Sequence, residues 1–243
     1  MVKDELNCIT WNIHRAKGTD GRTDPARVMA ALRTAIAPHG PDILALTEAD
    51  TDCPPHAGIL NMEDICAETG LRYVHDHSGL RWGAQSHGFL GTILFVRPGY
   101  EITQADVIDL PGHCHRGAIV AELCIGGRDI RIMSTHLSLT QVLRMAQMRV
   151  VGQYLRRATP MPTILLGDLN EWRPWRGLAF SWHLVGQHFK GPAVRTFPTR
   201  KPLLPLDGVL STEAATVTHA RAINAAETNR ASDHRPLMAR VVF

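Results

Sequence analysis

Seven polar side chains stand where apolar runs stop, and together their types could carry out one chemistry. Asn12 follows Cys8-Ile9-Thr10-Trp11, and Glu48 comes after the run Ile43-Leu44-Ala45-Leu46. His136 follows Ile130–Thr135, Asp168 and Asn170 follow Ile164-Leu165-Leu166-Gly167, and Asp233-His234 stand just before Leu237. A strand that ends on a carboxylate, amide or imidazole delivers a rigidly supported group to a sheet edge, where sites on packed scaffolds are built. Taken alone, any of these residues reads as a turn former, helix cap or hydrogen-bonded core histidine. As a set they contain hard oxygen donors (Asn12, Glu48, Asp233), a carboxylate with an amide two residues on (Asp168, Asn170) and two histidines (His136, His234). Such donors favour Mg²⁺, Mn²⁺ or Ca²⁺ over zinc, and the few carboxylates suit Mg²⁺, which keeps waters and shares coordination with substrate phosphate. Phosphate-ester hydrolysis fits: a metal neutralises phosphate, a carboxylate orients or deprotonates water, and histidine hydrogen-bonds the developing charge.

The elements that must position these groups follow from the same runs. Buried strands are expected at Leu6–Ile13, Asp42–Leu46, Gly91–Val96, Ala118–Ile125, Ile130–Thr135, Thr163–Leu166, Asp207–Leu210 and Pro236–Val242. A helix is expected from Asp24, with Asp24 as cap, Pro25 at the first helical position, and Val28, Leu32, Ala35 and Ile36 on one face before Gly40-Pro41. A second is expected over about Thr140 to Arg157, and each helix joins two strands. Turn dipeptides at Pro98-Gly99, Pro111-Gly112 and Gly126-Gly127 make residues 89–136 a succession of antiparallel strands. The class is mixed α/β (α+β), and no repeat or long linker divides residues 1–243, so one domain is expected.

Composition narrows the function. Hydrophobic residues make up 44% and charged residues 20% of 243, which excludes a disordered, collagenous or coiled-coil chain. A net charge of +3 falls short of the basic stripe of a dedicated nucleic-acid binder. Cys8, Cys53, Cys66, Cys114 and Cys124 are odd in number and lack CxxC spacing, so reduced thiols are expected. No signal-peptide pattern opens the sequence and no run of about 18 apolar residues occurs, so a cytoplasmic protein without stable membrane insertion is expected.

The order of these residues resembles the endonuclease/exonuclease/phosphatase superfamily, which includes pancreatic-type DNases, abasic-site endonucleases, sphingomyelinases and inositol polyphosphate phosphatases. Thr10-Trp11-Asn12-Ile13-His14 resembles its first strand, and Pro41-Asp42-Ile43-Leu44-Ala45-Leu46-Thr47-Glu48 its metal-glutamate strand. Ser134-Thr135-His136-Leu137, Gly167-Asp168-Leu169-Asn170, Leu206-Asp207-Gly208-Val209-Leu210 and Ser232-Asp233-His234-Arg235-Pro236 resemble the later motifs. The resemblance implies a four-layer sandwich of two packed mixed sheets flanked by helices, with the site at the sheet ends. It implies Mg²⁺ (or Mn²⁺) at Glu48, Asn12 and Asp233. It implies His136 and Asn170 on the phosphate, Asp168 on the water, and Asp207 orienting His234. Arg116, in His115-Arg116-Gly117-Ala118, resembles an arginine that touches substrate phosphate, which a guanidinium fork suits. Which of Asp168 and His234 is the base stays open. Thr47, Leu169 and Gly208 depart from the family pattern and exchange packing neighbours while keeping the reacting groups.

The implied partner is a phosphate ester: nucleic acid, or a small phosphorylated molecule, an inositol or sugar phosphate, or a phospholipid headgroup. A nucleic-acid rim would draw on Arg15, Lys17, Arg22, Arg81, Trp82, Arg173, Trp175, Arg176, Arg195, Arg200 and Lys201, and exposed Trp172 and Trp175 would suit a membrane interface. The rivals from other classes are a noncatalytic binding module, and a zinc protein using His75-Asp76-His77 or His113-Cys114-His115.

Overall fold

A computed structural model describes residues 4–112, 116–173 and 177–243. Its strands are β1 Glu5–Asn12, β2 Ile43–Thr47, β3 Arg72–Tyr73, β4 Ile93–Val96, β5 Glu101–Leu110, β6 Arg116–Ile125, β7 Arg128–His136, β8 Thr163–Asp168, β9 Asp207–Ser211, β10 Thr216–Ala222 and β11 Leu237–Val242. They form a six-stranded sheet in the order β10-β11-β1-β2-β4-β3 and a five-stranded sheet in the order β5-β6-β7-β8-β9. Each sheet holds one parallel pair, β1 with β2 and β7 with β8, amid antiparallel neighbours. The two expected helices are the crossovers that parallel pairing requires.

The first crossover starts at α1, Pro25–Ala31, where Asp24 Oδ1 accepts the Ala26 N–H at 3.0 Å. It widens into a π-helical turn over Leu32–Ile36, tightens at Ala37–His39, and stops at Gly40 with φ of +58°. The second crossover is α3, Gln141–Arg157. The shorter helices α2 (Met62–Thr69), α4 (Trp182–Val185) and α5 (Ala226–Ala231) complete the outer layers.

Three apolar layers hold the sandwich together, because residues two apart on a strand share a face. Leu6, Cys8, Ile43 and Ala45 of one sheet pack on Ala121, Ile132, Ile164 and Leu166 of the other. Ile9, Trp11, Leu46 and Phe95 face Val28, Leu32 and Ile65 on one outside. Val120, Met133 and Leu165 face Met148, Val151 and Leu155 on the opposite outside. The central rows turn polar toward one end: Leu6-Cys8-Thr10-Asn12 on β1, Ile130-Ile132-Ser134-His136 on β7, and Ile164-Leu166-Asp168 on β8. The polar end lies at the C-termini of the parallel strands. Register sets Asn12 beside Thr47, His136 beside Asp168, and Asp168 beside Asp207.

Cys8, Cys53, Cys66 and Cys124 form no disulfide among the described residues, while Cys114 lies outside them. His75 is fully buried, with Nδ1 donating to Leu80 O at 2.7 Å and Nε2 accepting the Leu94 N–H at 3.1 Å. Both ring nitrogens are therefore occupied by backbone, which removes His75 from any zinc set; His113-Cys114-His115 lies outside the described residues. Burial pushes the His75 pKa from 6.5 down to about 4. The unfolded chain thus binds a proton that the folded chain refuses between these values, so stability is full above pH 6.5 and falls as pH drops toward 4. The loss amounts to about 3 kcal/mol. His75→Gln keeps a donor and an acceptor without titrating. Its melting temperature is expected to fall less steeply between pH 7 and pH 4.5 than that of the wild type, measured side by side. Parallel slopes would refute the assignment.

Candidate active site

Backbone strain marks the site before any side chain is considered. Eight non-glycine residues have positive φ among the described residues, and five of them belong to this end: His14, Arg15, Ala16, Glu48 and Asn170. Left-handed backbone costs a non-glycine residue about 1 kcal/mol or more and persists where the surroundings enforce it. Here the surroundings are hydrogen bonds from Ile13 N to Thr47 O at 3.0 Å and from Arg15 N to Glu48 O at 3.1 Å. They turn the chain after β1 so that Arg15 reaches Glu48.

Gly167 serves the same end. Its φ is +141°, and a Cβ there would stand 1.9 Å from Thr135 O on the neighbouring strand. Gly167→Ala must therefore separate β7 from β8 beside the site. It is expected to destabilise the fold by about 3 kcal/mol or more, as judged by denaturant unfolding.

The side chains converge around Asp168. Its Oδ2 accepts Asn12 Nδ2 at 2.9 Å and its Oδ1 accepts the Asn170 N–H at 3.1 Å. His136 Nε2 stands 3.4 Å and His234 Nε2 3.8 Å from Asp168 Oδ2. Behind them Asp207 Oδ2 accepts His234 Nδ1 at 2.8 Å and Thr196 Oγ1 at 2.5 Å. Glu48 receives Asn12 Nδ2 on Oε1 at 3.3 Å and Arg15 Nη1 on Oε2 at 2.5 Å, while Arg15 Nη2 reaches Asp52 at 2.6 Å. Asp233 Oδ1 faces His14 Nδ1 at 3.4 Å. Asn170 fixes its amide nitrogen on Leu137 O at 2.9 Å. A cavity of about 410 Å³ is lined by eight of the nine residues expected at the site, Asn12, Glu48, Arg116, His136, Asp168, Asn170, Asp233 and His234. Asp207 is the ninth and lies behind His234.

Electrostatics separates the roles. Burial, then the neighbouring cations Arg116, His234 and Arg15, push the His136 pKa well below 6.5, so His136 is a neutral imidazole. Burial also works against a charge on His234, but the Asp207 carboxylate on Nδ1 overcomes it and raises the pKa to about 10. Burial raises Asp168 to about 6, with His234 and the Asn12 hydrogen bond opposing.

Asn12 is the amide expected at the metal. Its Oδ1 accepts the His14 N–H at 2.8 Å, and that backbone donor fixes the amide so that its nitrogen faces Glu48 and Asp168. Asn12 thus aligns two carboxylates by donating to both. Arg15 was legible only as a basic loop residue, yet it is the ion-pair partner of Glu48. Thr196 carries no motif at all; its hydroxyl is placed by a loop that crosses to Asp207. The donor chemistry fits a hard divalent cation. Glu48, Asp168 and Asp233 face one cavity, and Asp233 Oδ1 is buried without a hydrogen bond among the described residues. Asp168, Asp207 and His234 also bring ligand atoms within 4.8 Å of one another.

Two mixed sheets with helices outside and a buried carboxylate–imidazole centre at the strand ends define a class. The profile of the Endonuclease/Exonuclease/phosphatase family matches residues 9–234, and the chain belongs to that family. Among curated proteins it is similar to the uncharacterized protein YbhP of Escherichia coli, at 25% identity over 96% of this chain and 94% of that one. Among solved structures it is similar to a mannosyl-6-phosphatase of Bacteroides thetaiotaomicron, with a TM-score of 0.71, 16% identity, and coverage of 98% of this chain and 100% of that one. It is also similar to D. rerio TDP2 complexed with single strand DNA product, with a TM-score of 0.69, 18% identity, and coverage of 99% and 100%.

Proposed function

We propose that the protein is a divalent-metal-dependent phosphoester hydrolase that acts by in-line attack of water, with diesters as its preferred substrates. The observation that carries this reading is Asp168, a buried carboxylate ringed by Asn12, His136 and the Asp207–His234 pair in one cavity with Glu48. Glu48 and Asp233 would hold the cation, Mg²⁺ with Mn²⁺ as the alternative, which when bound supplies charge neutralisation on the phosphate. Asp168 accepts the proton of the attacking water, since His234 is already protonated through its bond to Asp207. His234 Nε2 and neutral His136 donate toward the phosphate oxygens, and Asn170 steadies them from the cavity wall. Arg116 has no partner for its guanidinium among the described residues, and its buried Nε is unpaired, which suits a phosphate hook.

The family's substrates diverge, as a sugar phosphatase and a DNA-product complex on one fold illustrate. The test is therefore a panel in Mg²⁺ or Mn²⁺ against chelator: supercoiled plasmid, bis(p-nitrophenyl) phosphate and p-nitrophenyl phosphate, with Asp168→Asn prepared identically. Metal-dependent turnover of the soluble diester by the wild type alone is expected. Equal activity in both preparations would expose a contaminant and refute the reading.

A nucleic-acid groove is not favoured by Arg15, the rim cation that lines the cavity, because Glu48 and Asp52 hold it. Trp175 and Arg176 of the expected rim lie outside the described residues.

A further inference from the structure

Seven large hydrophobic side chains are exposed among the described residues, and five of them lie at or next to segments that border the catalytic cavity, on loops, at the start of α3 and on the short turn after Gly177. These are Leu139 at 76%, Val142 at 76%, Trp172 at 51%, Leu178 at 63% and Leu203 at 55% exposure. Leu139 and Trp172 line the cavity that holds His136 and Asp168, and Leu203 adjoins Leu204 on the same wall. Val142 and Leu178 extend the patch outward. The first is next to Gln141, which Arg173 binds, and the second follows Gly177, packed on the Glu171 carboxylate. Isolated surface leucines need no explanation, but a group of them at the mouth of a polar site does.

The charge on these loops is of one sign. Arg173, Arg195, Arg200 and Lys201 interleave with the apolar groups, and the Arg173 guanidinium sits 5.3 Å from the centre of the Trp172 ring. The segments 137–143 and 195–206 contain no Asp or Glu, and Glu171 is buried between Arg144 and Arg173. Apolar tips among cations match a surface that is apolar below and anionic above. They match a second copy of the chain poorly, because a two-fold contact would set each cation cluster against its own image. They also match single-stranded nucleic acid poorly, since Trp172 is the one aromatic ring among the five and leucine and valine offer no stacking face.

We infer that this mouth docks on an anionic phospholipid surface and that the phosphoester it hydrolyses is presented there, among the headgroups. The substrate half of this inference rests on the hydrolase reading. Hydrolysis adds one water across a P–O bond, with hydroxyl to phosphorus and a proton to the leaving oxygen, so no further co-reactant is required. No helix of the described residues is long and apolar enough to cross a membrane, and docking of this kind needs none.

The test is co-sedimentation of the full chain with vesicles of phosphatidylglycerol and phosphatidylcholine, against vesicles of phosphatidylcholine alone. Binding is expected to be at least about tenfold stronger on the anionic vesicles and to weaken with salt. Val142→Glu/Leu178→Glu, which alters neither the cavity wall nor the reacting groups, is expected to reduce binding by about tenfold or more while turning over bis(p-nitrophenyl) phosphate like the wild type. Absence of wild-type binding would overturn the inference. So would undiminished binding by the double variant, or a wild-type dimer that the double variant converts to monomer. Vesicle binding is read without turnover, so failure on the soluble diester would refute the hydrolase reading separately.

Discussion

Asp168→Asn is expected to lose roughly a thousandfold in turnover on a soluble diester while unfolding at or slightly above the wild-type temperature. The two halves of this expectation have one cause. Asp168 is fully buried beside a second buried carboxylate, Asp207, and burial raises its pKa to about 6, so its negative charge is costly in the resting fold. The charge persists because it can accept a proton and because Asn12 and Asn170 donate to it. The neutral amide has the same shape, removes a buried anion, and with its oxygen toward Asn12 keeps the hydrogen bond from the Asn12 amide. What it cannot do is take a proton from water. Turnover within tenfold of wild type, measured alongside thermal unfolding, would move the base elsewhere. A large loss of stability would show that the carboxylate holds the fold together instead.

Such a centre was largely legible in the sequence because the fold places it by strand register. Asn12, His136 and Asp168 each end an inter-sheet row, so reading where the apolar run stops is equivalent to reading which end of the sandwich is polar. The crossover helices were legible for the same reason: Asp24, Pro25 and Gly40 fix the bounds of the first by capping and backbone geometry alone. What escaped was whatever depends on tertiary approach. β10 is an edge strand, Thr216–Ala222, none of whose residues is buried, so it presents no apolar face to read. α2 is eight residues capped by Asn61 and Gly70 and buries only Ile65, which leaves no stripe to read. Arg15 joins Glu48 because three consecutive left-handed residues turn the chain there, a conformation that no side chain in His14-Arg15-Ala16 favours. Thr196 meets Asp207 across 11 residues of loop. The Asn12 amide is oriented by the His14 backbone N–H, which sequence does not display.

The Asp207–His234 pair gives the second large effect, and its two halves are expected to behave oppositely in stability. Either Asp207→Asn or His234→Ala should reduce turnover by about a hundredfold or more, since the charged donor facing the phosphate is lost in both. Asp207→Asn leaves an imidazole that can release its proton once the carboxylate is gone; burial then favours the neutral ring, and the fold tolerates it. His234→Ala leaves a fully buried carboxylate whose Oδ1 already lacks a hydrogen bond and whose Oδ2 keeps only Thr196. An uncompensated buried charge costs about 3 kcal/mol or more, beyond the cavity left by the missing ring. The double variant Asp207→Asn/His234→Ala removes that charge and should therefore be more stable than His234→Ala alone, although it carries one more substitution. A double-mutant cycle by denaturant unfolding reads this sign directly. If the two losses simply add, the Asp207–His234 pair is not coupled in the fold, and the hydrogen bond between them does not set the cost of losing the ring.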